Sequence, residues 1–195
     1  MFQIRIHGRG GQGVVTAAEV LSVAAFLENR EAQAFPSFGS ERMGAPVMAF
    51  CRIDDKPIRL REPISEPDAI MVQDATLLTN PALLAGLTSN GFVLINTEKS
   101  VSDLQLPSLP HGLPADHVMT VGAGEIARRR IGKPLANLAM LGGLLAITGI
   151  LRPESLQKAI LEKFSGKLGL ANAAGAQEVY GAVKAIREGA LLVSK

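Results

Sequence analysis

Four glycines, Gly8, Gly10, Gly11 and Gly13, stand between two kinds of hydrophobic pattern. Before them, Phe2, Ile4 and Ile6 alternate with Gln3, Arg5 and His7, the period of a half-buried strand. After them, Val14, Val15, Ala17, Ala18, Val20 and Leu21 open a helical pattern. A strand that turns through glycines into a helix lets backbone amides approach a phosphate closely, and the helix start adds unpaired N–H groups. Gly8, Gly10, Gly11 and Gly13 are therefore candidates to admit an anion; the competing reading is that the glycines only pack the helix on the sheet. A nicotinamide-binding unit would also need an acid at the tip of its second strand, about 20 residues on. Glu31 precedes the apolar run 32–38 rather than ending it, and the tip is Ser37-Phe38-Gly39, so ordinary NAD binding is not supported.

Other chemistry is sparse. Asp74 ends a short buried run at 67–74, where a carboxylate could meet ribose or magnesium or could cap the next helix. His7 sits at a strand end, free to face a ligand or to pack. No Ser/His/Asp arrangement suggests a hydrolase, and His7, His111 and His117 lack metal-ligand spacing, so no catalytic or metal residue is assigned. The single cysteine, Cys51, excludes a disulfide framework and an iron–sulfur site held by cysteines of this chain; its apolar surroundings mark it as core. The loop 37–46 is the most unusual piece. Phe38, Gly39, Glu41, Arg42, Met43 and Gly44 combine glycines, large apolar groups and an adjacent pair of opposite charges, which suits an inter-subunit contact or a gate over a cofactor.

The elements that would position these residues read in order as follows. A helix is expected over 12–29 and an extended stretch over 31–38. A strand follows over 46–53, with a hairpin-like return at 57–60. Strands at 67–74, 92–95 and 117–121 alternate with helices at 75–87, with Pro81 in a first turn, and at 122–131. The last third is helical: 137–150, apolar nearly all round with Gly142-Gly143 for close packing, then 153–164 and 173–190. The expected fold is α/β and Rossmann-like: a mainly parallel sheet with helices on both faces, a helical C-terminal third, and one domain over 1–195. Ligands or partner chains should meet it at the carboxyl ends of the strands, where the glycine turn, Asp74 and Asn96 collect and which the loop 37–46 could reach.

Composition sets bounds. Hydrophobic residues make up 47% and charged ones 19%, with no tryptophan and a mean hydropathy of +0.23. That suits a subunit that buries much of its outside, or a chain with a buried parallel sheet. A net charge of +2 is no nucleic-acid signature, and Arg128-Arg129-Arg130 reads as a solvated or interfacial helix face. No leader pattern is read, and the longest apolar run, 138–151, is too short to span a bilayer. A cytoplasmic protein with no membrane and no nucleic-acid partner is the expectation.

Three stretches together carry a more specific signal: GRGGQGVVTAAEVL (8–21), FPSFGSERMGAPVMAFCRI (35–53) and NLAMLGGLLAITG (137–149). With them, nearly the whole chain resembles the gamma subunit, or gamma domain, of the 2-oxoacid:acceptor oxidoreductases, the pyruvate:ferredoxin oxidoreductase group. The resemblance implies an oxidative decarboxylation of a pyruvate-like or aryl 2-oxoacid with coenzyme A, giving acyl-CoA and carbon dioxide, with electrons passing to ferredoxin or NAD. Thiamine diphosphate, magnesium ion (Mg2+) and 4Fe-4S clusters would sit on partner chains: alpha, a thiamine-binding beta and a ferredoxin-like delta, with room for an NAD/flavin subunit. No cofactor would be held by this chain alone. By the same resemblance, Gly8, Gly10, Gly11, Gln12 and Gly13 would face phosphate, helping to bind coenzyme A or to shape the channel to thiamine, and Glu41, Arg42 and Gly44 would belong to an interface loop. Family members often read E-R-R-G-A-P there; Met43 replaces the second arginine, which implies a changed substrate or subunit contact, such as a preference for an aryl 2-oxoacid. The alternative is a stand-alone nucleotide-binding Rossmann module.

Overall fold

The computed structural model describes residues 1–37 and 43–193. Its centre is strand β1 (Phe2–Arg9), and the chain then forms helix α1 (Val14–Phe26) and strands β2 (Glu31–Pro36), β3 (Pro46–Asp54), β4 (Ala69–Val72), β5 (Phe92–Asn96) and β6 (Val118–Val121). The six strands lie in the order β2-β3-β1-β4-β5-β6. β1, β4, β5 and β6 pair in parallel, whereas β3 runs antiparallel to both its neighbours, Ile4 facing Cys51 and Ala34 facing Cys51 from the other side. β3 is thus the one reversed strand of a mainly parallel sheet. A short connection from β2 can return only antiparallel, since a parallel return needs a crossover of a dozen residues or more.

The helices α2 (Ala123–Ile131), α3 (Asn137–Thr148), α4 (Pro153–Lys163) and α5 (Gly166–Val193) complete the chain. Side chains of α1 to α5 share one core with Ile4, Ile6, Cys51, Met71 and Leu94 from one face of the sheet. α1 lies close because its inward face is alanine and valine: Ala17, Ala18, Val20 and Ala24 are fully buried. α3 is buried all round, as its sequence requires, because α5 covers the side that the sheet does not. A Cβ at Gly143 would come within 2.8 Å of Leu94 on β5, and one at Gly142 would run into the backbone carbonyl of Ala176 on α5.

The two faces of the sheet are covered unequally, with all five α-helices packed on the first. The second face carries a short 3-10 helix, Ala75–Thr79, followed by turns. Asn80-Pro81 ends the helix expected to reach residue 87: Asn80 is extended, as a residue before proline prefers. Leu77, Leu78, Leu83, Leu84 and Leu87 still bury against Ile70, Val72, Val93 and Ile95, so the leucines cover the sheet without a helix. The return expected at 57–60 is no strand either, since Pro57 cannot donate to a ladder. Nearer β1 the second face is polar yet buried. Arg52, 1% exposed, donates to the Gln3 and Gln33 side chains and to the Glu62 carbonyl, and lies over the Phe35 ring. The face of β1 expected to be half-solvated is therefore enclosed: Arg5 and His7 are 8% and 9% exposed. Helix α5 begins seven residues earlier than its pattern suggests, because exposed Leu168 and Leu170 blur the amphipathic signal. Of the arginine run, Arg129 and Arg130 pair with Glu178 of α5, and Arg128 with Glu125.

Gly142→Ala should lower stability by about 1–3 kcal/mol, the usual cost of overpacking, because the α5 backbone must move to admit a methyl group. Chemical denaturation of the variant and of Gly181→Ala, where a Cβ meets nothing within 4 Å, checks this; equal stabilities would refute the packing assignment.

Candidate functional site

The carboxyl ends of β1, β4 and β5 form one edge, and the glycine turn sits on it. The turn is held open by backbone conformations that suit glycine: φ is +91° at Gly11 and +69° at Gly13. Gly13 occupies the N-cap of α1 with no side-chain cap. The first-turn amides of α1 therefore lack the partner that a capping Ser or Asp would give them, and the helix dipole places partial positive charge there.

Arg9 and Asp74 fix this geometry. Arg9 donates from Nε to Asp74 Oδ2 (3.1 Å), from Nη2 to Thr76 Oγ1 (2.7 Å) and from Nη1 to the Gly44 carbonyl (3.1 Å). Gln12 closes the turn on itself: its Oε1 accepts the Arg9 amide at 2.7 Å while its Nε2 donates to Asp74 Oδ2 at 3.0 Å. Asp74 Oδ1 accepts from the Thr76 amide and hydroxyl. Burial would raise the Asp74 carboxyl, but the hydrogen bonds from Thr76 and Gln12 and the charge of Arg9 outweigh it and hold the group below the usual carboxylate range. Of the two readings of Asp74, the cap is realised; both oxygens are committed. The Gln12 side chain is likewise occupied by the turn. Asn96 ties the edge together, donating to the Gln73 carbonyl and accepting the Gly124 amide at the start of α2.

The segment after β2 does reach this edge. The Gly10 amide donates to the Ala45 carbonyl (2.8 Å) and the Gly44 amide to the Gly10 carbonyl (3.1 Å), and Gly10 bridges Met43. Met43 is 87% exposed, and a Cβ on Gly11 would meet its sulfur. Phe38, Gly39, Glu41 and Arg42 lie outside the described residues.

Behind the turn lies a pocket of about 280 Å³ lined by Gln12, Gln73, Asp74, Ala75, Asn96, Pro134 and Ala136. Gln73 is 4% exposed, and among the described residues neither its amide oxygen nor its nitrogen has a partner; Asn137 donates from Nδ2 to the Gly13 carbonyl, but its Oδ1 also lacks a partner among them. Buried amides without partners are rare, because each forfeits the hydrogen bonds water would give. Sequence reasoning passed over Arg9, Gln73 and Asn137. A polar residue closing an apolar strand run, as Gln73 does, is the signal that could have found one of them.

On the opposite face of β1 a second cleft of about 470 Å³ is lined by Arg5, His7, Arg9, Met48, Thr79 and Leu83 among others. Arg5 donates to the carbonyls of Leu83 and Ala85 and from Nε to His7 Nε2 at 3.2 Å. Burial first, then the Arg5 charge, pushes the His7 pKa down to about 3, so the imidazole is neutral at pH 7.

The model of the pyruvate ferredoxin/flavodoxin oxidoreductase family matches residues 3–182. The chain belongs to that family. It is 50% identical over 180 residues to the pyruvate synthase subunit PorC of Methanocaldococcus jannaschii, covering 92% of this chain and 96% of that one. It is 48% identical over 182 residues to the common gamma subunit of the pyruvate/ketoisovalerate oxidoreductases of Pyrococcus furiosus, with the same coverage. The crystal structure of the pyruvate oxidoreductase subunit PORC of Thermotoga maritima superposes with a TM-score of 0.80 at 35% identity, over 92% of this chain and 95% of that one. Within the oxidoreductase family this chain is of the gamma-subunit type, and the reading as a stand-alone nucleotide-binding module is not favoured. The single cysteine is fully buried in the core, and no group of three or more metal-ligating side chains occurs among the described residues. No helix among the described residues is long and apolar enough to cross a membrane.

His7 is neutral in the fold and protonates more readily in the unfolded chain, so stability falls as pH drops below about 6.5, by about 1.4 kcal/mol per unit. Denaturation at pH 6.5 and pH 5 should show a loss of about 2 kcal/mol that His7→Gln, which can still accept from Arg5, largely abolishes. An unchanged loss in the variant would contradict the assignment.

Proposed function

We propose that this gamma-type chain supports the assembly of a thiamine diphosphate- and iron–sulfur-dependent 2-oxoacid oxidoreductase and holds part of its co-substrate coenzyme A at the glycine-turn edge. The observation that carries the reading is the uncapped start of α1 standing beside a pocket whose buried Gln73 has a donor and an acceptor without partners among the described residues. The helix amides and the turn at Gly8 to Gly13 suit a phosphate of the co-substrate. Gln73, with a donor and an acceptor to offer, suits an amide, which donates and accepts at once, and the Asn137 Oδ1 adds an acceptor; coenzyme A carries both kinds of group.

Thiamine diphosphate with Mg2+ and the 4Fe-4S clusters, on alpha, beta and delta partner chains in this reading, supply the carbanion and electron chemistry. This chain's residues bind and orient: Arg9 and Asp74 hold the turn, the first-turn amides receive charge, and Gln73 reads the amide. Met43, largely exposed beside the turn, fits a subunit contact better than a substrate selector. The relative from Pyrococcus furiosus is named as common to two oxidoreductases of different 2-oxoacids, which favours substrate choice residing on other chains. A cytoplasmic location accords with such a complex.

In the assembled complex, Gln73→Glu would set a negative charge against the co-substrate and should raise the KM for coenzyme A at least tenfold, leaving the KM for the 2-oxoacid unchanged. Gln73→Leu, of similar size, should give a smaller rise in the same constant. A complex that assembles with Gln73→Glu and keeps its KM for coenzyme A would overturn the reading.

A further inference from the structure

We propose that the cleft under β1, between the sheet and the Ala75–Thr79 helix, binds an organic carboxylate carried on a small apolar body. It shares no lining residue with the pocket behind the glycine turn, and the proposal does not depend on the coenzyme A reading.

Three features of the cleft point to that ligand. The first is a buried cation: Arg5 is 8% exposed and makes no ion pair with any carboxylate among the described residues, its contacts being two backbone carbonyls and an imidazole. Placing a guanidinium out of water without a counter-charge is costly, and an anion entering the cleft would relieve that cost. Its Nη1 has no protein partner among the described residues and so remains available.

The second is the tautomer of His7. An arginine can only donate, so His7 Nε2 must accept and the single proton of the neutral ring sits on Nδ1. That Nδ1–H has no acceptor among the described residues. Two donors on adjacent inward positions of one strand, one charged and one neutral, match the two oxygens of a carboxylate.

The third is the remainder of the wall. Pro46, Met48, Leu77 and Leu83 line the same cleft, and about 470 Å³ lies within the size range of small-molecule sites. A bare inorganic anion would leave that apolar surface wet, whereas an acid with an aliphatic or aromatic body would cover it.

The test uses the full-length chain and three probes: phenylacetate, its neutral counterpart phenylacetamide, and inorganic phosphate. Titration followed by calorimetry and by the His7 ring signals in NMR should show phenylacetate saturating one site and shifting the Nδ1–H resonance. Phenylacetamide should bind at least tenfold more weakly. Arg5→Met removes the charge but also the tether to Leu83 and Ala85, so Ala82→Trp, at an exposed position on the cleft wall, serves as the second variant; it should block phenylacetate while leaving the melting temperature unchanged. The proposal is overturned if phenylacetate does not bind, if acid and amide bind equally, or if phosphate binds more tightly than phenylacetate. It is also overturned if Glu41→Gln binds phenylacetate and the parent chain does not, since a carboxylate of the chain itself would then fill the cleft.

Discussion

The carboxylate of Asp74 joins the end of β1 to the end of β4, and the functional edge takes its shape from that junction. Two neighbouring parallel strands leave their carboxyl ends side by side, and the segments leaving them would drift apart without a tie. Asp74 supplies it with one oxygen toward Gln12 and Arg9 and the other toward Thr76. Arg9 then extends the network to the Gly44 carbonyl, so the segment entering β3 is held to the same point. These are charge-assisted hydrogen bonds, the stronger kind, in partly buried surroundings where water competes less. The glycines make the turn possible; the carboxylate selects one conformation of it.

That arrangement explains why the edge combines rigidity with unused hydrogen-bonding capacity. Arg9, Gln12, Asp74 and Thr76 satisfy one another, and Asn96 bonds the Gln73 carbonyl and the Gly124 amide. Next to them, both side-chain polar atoms of Gln73 and the Oδ1 of Asn137, whose Nδ2 donates to the Gly13 carbonyl, are buried without partners among the described residues. It is this contrast between saturated positioning groups and unpaired buried amide atoms on which the proposed co-substrate site rests. The same strand serves the opposite face, where Arg5 and His7 satisfy each other through one bond and leave two donors toward a cleft. β1 thus presents its even-numbered side chains to the helical core and its odd-numbered ones to polar chemistry.

Much of this was legible in the residues. Alternation located β1, the glycine spacing located the turn and the start of α1, and the fully apolar stretch at 137–150 announced a helix with no exposed side. The collection of the glycine turn, Asp74 and Asn96 at one edge followed from reading their strands as parallel, with their carboxyl ends on one side. The sequence misled where tertiary contacts override local pattern. Arg5, His7 and Arg52 look like a solvated strand face, yet carbonyls, amides and an aromatic ring enclose them. The leucines at 77–87 look helical, but Asn80-Pro81 converts them into turns that still bury. Arg9 escaped notice because its partners Asp74 and Thr76 lie more than 60 residues away, which no local window contains.

Amide hydrogen exchange on Asp74→Asn is the most direct measure of whether this carboxylate sets the edge. Asparagine keeps the size and the capacity to cap Thr76 but removes the charge that holds Arg9. The account predicts faster exchange in residues 9–16 and 43–45, with the protection of β4, β5 and α3 retained. Unchanged exchange in the turn, or an equal loss of protection throughout the fold, would contradict it.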